Sequence, residues 1–193
     1  MMNKTGFSSA VIVAGGSGKR MGRPKQMLPL AGRPVLVRTI EAFRNTPGVQ
    51  EIVVVTPAEN RPELNKYFSG LVYADPGSTR LESVQNGFAK TSAQAHTVAV
   101  HDGARPLVNP QAVQQCLQTA AQYGAAVLAV PVKDTVKVCT QGAVEQTLDR
   151  SSLWAAQTPQ CYRREILAEA LEKFGSEKDA TDESQLVEKL GVK

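Results

Sequence analysis

An α/β fold, with a mostly parallel sheet and helices on both faces, is what three features of the sequence predict. Short unbroken apolar runs such as SAVIVA at residues 9–14 read as strands buried on both sides. Segments with helical periodicity separate those runs. The alternation then repeats along most of the chain, which is the pattern of βαβ units. In such sheets ligands bind beyond the carboxyl ends of the strands.

The elements follow in order. Residues 9–14 form the first strand. Pro34 opens a helix over PVLVRTIEAFRN, where a first-turn proline is tolerated. QEIVVVTP at 50–57 is a strand, ENRPELNKYF at 59–68 a short helix and GLVYAD at 70–75 a weaker strand. In RLESVQNGFAKT the apolar residues Leu81, Val84 and Phe88 keep a helical period. HTVAVHDGARP at 96–106 is a strand running into a turn. The next helix, at 109–124, has Asn109 as its cap, Pro110 beside it and Gly124 as its stop. AAVLAVPV at 125–132 is another strand. Beyond it, DTVKVCTQGAVEQTLDR alternates about a Gln141-Gly142 pair, the pattern of a β-hairpin. Its side chains are too small for a core, so residues 133–153 form an arm projecting from a single domain of residues 1–193. LWAAQTPQCY is extended, and RREILAEALEKF and DESQLVEKL are helices.

A net charge of +4 and 42% hydrophobic residues fit a soluble globular chain that favours anionic partners. Nucleic acid fits poorly. Aromatic residues make up 5% of the chain, giving no stacking platform, and the basic residues beyond the first loop are interspersed with acids. No apolar run reaches the roughly 20 residues of a membrane span, and the N-terminus lacks a signal-peptide stretch, so a cytoplasmic protein is expected. Cys116, Cys139 and Cys161 lie far apart and read as reduced structural thiols rather than zinc ligands. His96 and His101 are the only histidines, and His101 reads as structural.

The stretch AGGSGKRMGRPKQML, residues 14–28, carries the clearest chemistry. It has four glycines, four basic residues and no acid, directly after a buried strand. It is not a Walker A loop: position 13, five before Gly18, is valine, and arginine follows Lys19. Nor is it a dinucleotide fingerprint, since position 21 is methionine and the second strand ends in Thr56-Pro57 without an acid. Its glycines let peptide N–H groups approach an anion, while Arg20 and Lys25 supply charge. Asp102, at the end of another buried strand, can bind Mg²⁺ that bridges phosphates. Arg105 can pair with Asp102 or with a phosphate.

The G-x-G-x-R-M…P-K pattern resembles the nucleotidyltransferases that join a nucleotide to a sugar phosphate. HDGARP, KDTVK, DRSSLWAAQTPQ and TDESQLVEKLG narrow the likeness to the 2-C-methyl-D-erythritol 4-phosphate cytidylyltransferase family, from about Ser9 to the last residue. The resemblance implies a Rossmann-like nucleotidyltransferase sheet and transfer of CMP from CTP, with Mg²⁺ as cofactor. It implies Arg20 and Lys25 as transition-state stabilisers. Nucleotide contacts would come from Ala14, Gly15, Gly16, Gly18, Asp102 and Gly103, with Asp102 also the metal ligand. DPGSTRLES resembles the cytosine-recognising segment, with main-chain contacts from Gly77 and Ser78, the Ser83 hydroxyl, and Arg80 fixing the loop. Thr135, Arg150 and Arg105 would bind methylerythritol phosphate, with Asp134 and Lys137 as weaker candidates. Thr158 is open between substrate contact and packing. The family likeness also implies a homodimer embraced through the arm, and a final strand and helix, bearing a phosphate-holding lysine, beyond the residues given. A ribitol 5-phosphate cytidylyltransferase or another sugar-phosphate nucleotidyltransferase, and a non-catalytic nucleotide-binding regulator, are the alternatives.

Overall fold

The computed structural model describes residues 6–16, 18, 22, 24–176 and 182–192. Among them ten strands and six α-helices follow in this order: β1 (Ser8–Val13), β2 (Pro29–Leu30), β3 (Arg33–Pro34), α1 (Val35–Arg44), β4 (Val49–Val55), α2 (Arg61–Asn65), β5 (Val72–Ala74), α3 (Arg80–Phe88), β6 (Thr97–Asp102), α4 (Pro110–Tyr123), β7 (Ala125–Pro131), β8 (Lys137–Thr140), β9 (Ala143–Thr147), β10 (Trp154–Arg163), α5 (Arg164–Phe174) and α6 (Glu183–Lys189).

Six strands form the main sheet in the order β5-β4-β1-β6-β10-β7. Strand β1 pairs in parallel with β4 and β6, and β4 with β5. Only β10 runs against the rest, pairing antiparallel with both β6 and β7. The apolar runs are buried on both faces because helices cover both. Ala10 and Ile12 pack with Leu36, Ile40 and Phe43 of α1 and Leu117 of α4. The alternate residue Val11 faces Val84 of α3, Leu167 of α5 and Leu186 of α6. One strand therefore feeds two cores, as a period of two demands.

Helix α4 begins as its sequence says, with the Asn109 side chain accepting the Gln111 amide, and it stops at Gly124 in positive φ. The Pro34 reading needs a correction. Pro34 is the extended residue before α1, with ψ of 144°, because it pairs with Pro29 in the small β2–β3 ladder. The projecting arm is present: β8 and β9 pair only with each other, and Gln141 and Gly142 turn with φ of 51° and 84°. Both strands are exposed throughout. Cys116 and Cys161 are buried, whereas Cys139 is exposed on the arm. Among the described residues no helix is long and apolar enough to cross a membrane.

Candidate functional site

The carboxyl ends of β1 and β6 lie side by side, with Val13 opposite Asp102. The loop after β5 reaches the same end. Together they enclose a cleft of about 940 Å³ lined by Ala14, Gly15, Gly16, Gly18, Lys25, Gln26, Gly77, Ser78, Thr79, Arg80, Ser83, Asp102, Ala104 and Arg105, with Val13 at its base. Eleven of the residues singled out from sequence thus meet in one place. Arg20 lies outside the described residues. Gly103 lies beneath the wall instead of in it: its amide donates to Val13 O at 2.8 Å, and its Cα faces Ala14 and Leu36. Thr135 and Arg150 stay on the exposed arm, where Arg150 Nη1 donates to Lys133 O at 2.6 Å. The cleft of a single chain does not gather them.

The glycine loop is held from below. The buried Gln26 side chain donates from Nε2 to both Ala14 O and Gly16 O, each at 2.9 Å. Those bonds satisfy two carbonyl oxygens that would otherwise repel a polyanion. Sequence reasoning passed over Gln26, although its place directly after Lys25 was a signal. Gly15 packs on Pro76 so closely that an added Cβ would lie 2.3 Å from Pro76 Cβ. The two walls of the cleft touch there.

The loop after β5 is a self-contained cap for α3. Thr79 accepts the Glu82 amide at 3.0 Å, and Glu82 accepts from Ser78 N and Oγ, both at 2.6 Å. The Ser78 bonds hold the Glu82 carboxyl below its ordinary range. Ser83 Oγ accepts the Gly77 amide at 3.0 Å and donates to Thr79 O. The Gly77 and Ser78 amides are therefore engaged within the loop. A base held here meets their carbonyls, or exchanges those bonds.

Arg105 pairs with Asp102 in the ligand-free cleft. Arg105 Nε donates to Asp102 Oδ2 at 2.9 Å, and Nη1 reaches Gln157 Oε1. Arg80 approaches the other oxygen, with Nη2 and Nε at 3.3 and 3.4 Å from Oδ1. Its far edge donates from Nη1 to Glu183 Oε1 at 2.6 Å. Burial raises the Glu183 carboxyl, and the Arg80 charge pulls it part of the way back. Glu183 was missed, and nothing in the spacing links it to Arg80. Thr158 is buried, and its Oγ1 accepts the Asp102 amide at 3.2 Å. His101, fully buried, donates from Nε2 to Arg105 O at 3.1 Å. Burial lowers its pKa from 6.5 to about 4, so the ring is neutral and structural.

Cations beside a glycine loop above the strand ends, with a single carboxylate among the described lining residues, suit a polyphosphate, and on this sheet that arrangement defines a nucleotidyltransferase. The chain belongs to the family IspD: 2-C-methyl-D-erythritol 4-phosphate cytidylyltransferase, whose model matches residues 8–193. A 2-C-methyl-D-erythritol 4-phosphate cytidylyltransferase of Syntrophotalea carbinolica is 41% identical over 94% of this chain and 82% of its own length. The bifunctional enzyme IspD/IspF of Desulfotalea psychrophila is 40% identical over 95% of this chain, which spans 49% of that longer protein. The crystal structure of 4-diphosphocytidyl-2C-methyl-D-erythritol synthase from Anaerococcus prevotii superposes with a TM-score of 0.86 at 30% identity, covering 98% of this chain and 85% of its own.

Proposed function

We propose that this chain transfers CMP from CTP to 2-C-methyl-D-erythritol 4-phosphate, giving 4-diphosphocytidyl-2-C-methyl-D-erythritol and pyrophosphate. Family membership supports the reaction, and the convergence of the glycine loop, Lys25, the Gly77–Ser83 segment and Asp102 on one cleft carries it. A phosphate oxygen of the sugar phosphate forms a bond to the α-phosphorus. The bond from that phosphorus to the bridging oxygen breaks, and its electrons leave with pyrophosphate. Two polyanions must be brought together, so cation density is the main requirement. Lys25 stands exposed at the cleft edge for that purpose. Arg20, by its place in the sequence, is assigned the same role.

Asp102 fits a divalent ion. Mg²⁺ is usually held by one or two carboxylates and completed by phosphate oxygens and water. Among the described residues no cluster of three ligands exists, so the substrate would complete the set. Oδ1, whose arginine contacts are the long ones, is the atom to share. When bound, the ion would neutralise phosphate oxygens and make the α-phosphorus more electrophilic.

Thr135 and Arg150 are assigned to methylerythritol phosphate through a homodimer, in which the arm of one chain completes the cleft of the other. An isolated hairpin is marginal in water, so this one needs a partner surface. Pyrophosphate release from CTP tests the whole reading, with methylerythritol phosphate and ribitol 5-phosphate supplied in parallel. Release with the first alone is expected. Preference for ribitol 5-phosphate would overturn the substrate assignment, and CTP binding without release on either would favour a regulator.

A further inference from the structure

Glu183 is an expensive residue where it stands. It is fully buried at the start of α6, and its Oε2 has no hydrogen-bond partner among the described residues. An ion pair with one member fully buried is a weak stabilising device, since apolar groups of similar volume fill such space at least as well. Its location suggests another purpose. Its side-chain partner among the described residues is Arg80, and Arg80 lines the cleft.

The geometry around Arg80 is unequal. The guanidinium lies 2.6 Å from Glu183 but only 3.3–3.4 Å from Asp102. Glu183 itself is fixed. Asp182, the residue before it, caps α6 by accepting the Gln185 amide, and it also accepts from Gln160 Nε2 at 2.7 Å. Gln160 in turn accepts from the buried Tyr162 hydroxyl at 2.9 Å. Leu186 and Val187 bury the following turn in the core. The anchor is therefore tied to β10 and cannot follow Arg80 towards the cleft.

We propose that Glu183 is a positioning residue for this reaction: it holds Arg80 back from Asp102, and so leaves Asp102 Oδ1 with only the long contacts at 3.3–3.4 Å, an oxygen that a divalent cation can share. This inference rests on the assignment of the cleft to CTP and of Asp102 to the metal. Four charges are involved. Arg80 and Arg105 balance Asp102 and Glu183, leaving the group neutral. Glu183→Gln keeps the shape and removes one negative charge. Arg80 then closes on Asp102, and the cleft gains a net positive charge. Metal-free CTP, a polyanion, binds more tightly. The cation, repelled and deprived of its oxygen, helps less. Loss of folding alone would not move these two quantities in opposite directions.

The readout is the dissociation constant of CTP by calorimetry, in EDTA and in Mg²⁺, for the wild type, E183Q, R80M and the double variant. The ratio of the two constants measures the gain from metal. In E183Q it is expected to fall at least about five-fold, the lower end of ordinary coupling between linked sites. In the R80M background E183Q should leave it unchanged. That comparison removes both charges and decides the matter even if the single variant fails to fold. An unchanged ratio in E183Q, or an equal effect with and without Arg80, would overturn the proposal. CMP transfer by the wild type together with an unchanged ratio would defeat this inference alone. Failure of the wild type to bind CTP would defeat the functional reading as well.

Discussion

Gly15→Ala tests whether the contact between the two walls of the cleft sets the reaction. The added Cβ would lie 2.3 Å from Pro76 Cβ and 3.2 Å from its Cγ. Carbon atoms rest at about 3.5–4.0 Å, so the walls must part by more than about 1 Å. Pro76 carries Gly77 and Ser78 with it, and the other wall carries the glycine loop. A displacement of about 1 Å between groups that grip one substrate can lower the rate about 100-fold. We expect kcat/KM for CTP to fall by about that factor, with only a modest loss of Tm because the loop can retreat. Gly16→Ala is the control for the fold. A Cβ there meets nothing within 4 Å, so Tm should stay at the wild-type value. Wild-type kcat/KM in Gly15→Ala would refute the idea that wall contact sets the geometry.

Lys25→Ala should remove a charge-assisted contact to phosphate worth about 1.5–3 kcal/mol, lowering kcat/KM about 10- to 100-fold without changing Tm; unchanged kinetics would remove Lys25 from the site. His101 should make stability depend on pH. Its folded pKa of about 4 lies below the ordinary 6.5, so the unfolded chain binds the proton first, and stability present above pH 6.5 is lost as pH falls towards 4. Urea unfolding at pH 7 and pH 4.5 should show about 2–3 kcal/mol more loss in the wild type than in His101→Gln, and equal slopes would disprove the burial argument. Arg150→Ala should raise KM for the sugar phosphate about 10-fold or more while sparing KM for CTP, because a guanidinium that grips only one substrate's phosphate affects only that substrate. Light scattering should give a dimer mass for the intact chain; a fully active monomer would contradict the shared site.

Much of this site could be read from the sequence because its parts are local. Glycines before cations, an acid at a strand end and a cap before a helix each announce themselves within a few residues. The hairpin turn at Gln141-Gly142 was legible for the same reason, since positive φ restricts the choice of residue. What escaped is relational. Gln26 looks like any polar loop residue until the carbonyls of Ala14 and Gly16 are seen above it. Arg80 and Glu183 are 103 positions apart, and no period connects them. Arg105 had two chemically equal partners in the sequence, and only distance shows that it pairs with Asp102 in the ligand-free cleft. Pro34 misled because a second proline, Pro29, claims it for a ladder that propensity does not encode.

The place of β1 in the sheet has a consequence for how the protein is made. Of the described strands this one leaves the ribosome before the others, yet both its neighbours, β4 and β6, are encoded later, and the second is complete only at Asp102. At about 5–20 residues per second, the run SAVIVA waits roughly 5–20 seconds for its second partner. A bare apolar strand with two unpaired edges is an invitation to aggregate. The segment that follows it holds Lys19, Arg20, Arg23 and Lys25 and no acid. Flanking charge of one sign discourages nascent chains from pairing with each other. The loop assigned here to the triphosphate can thus act earlier as a guard on the newborn strand.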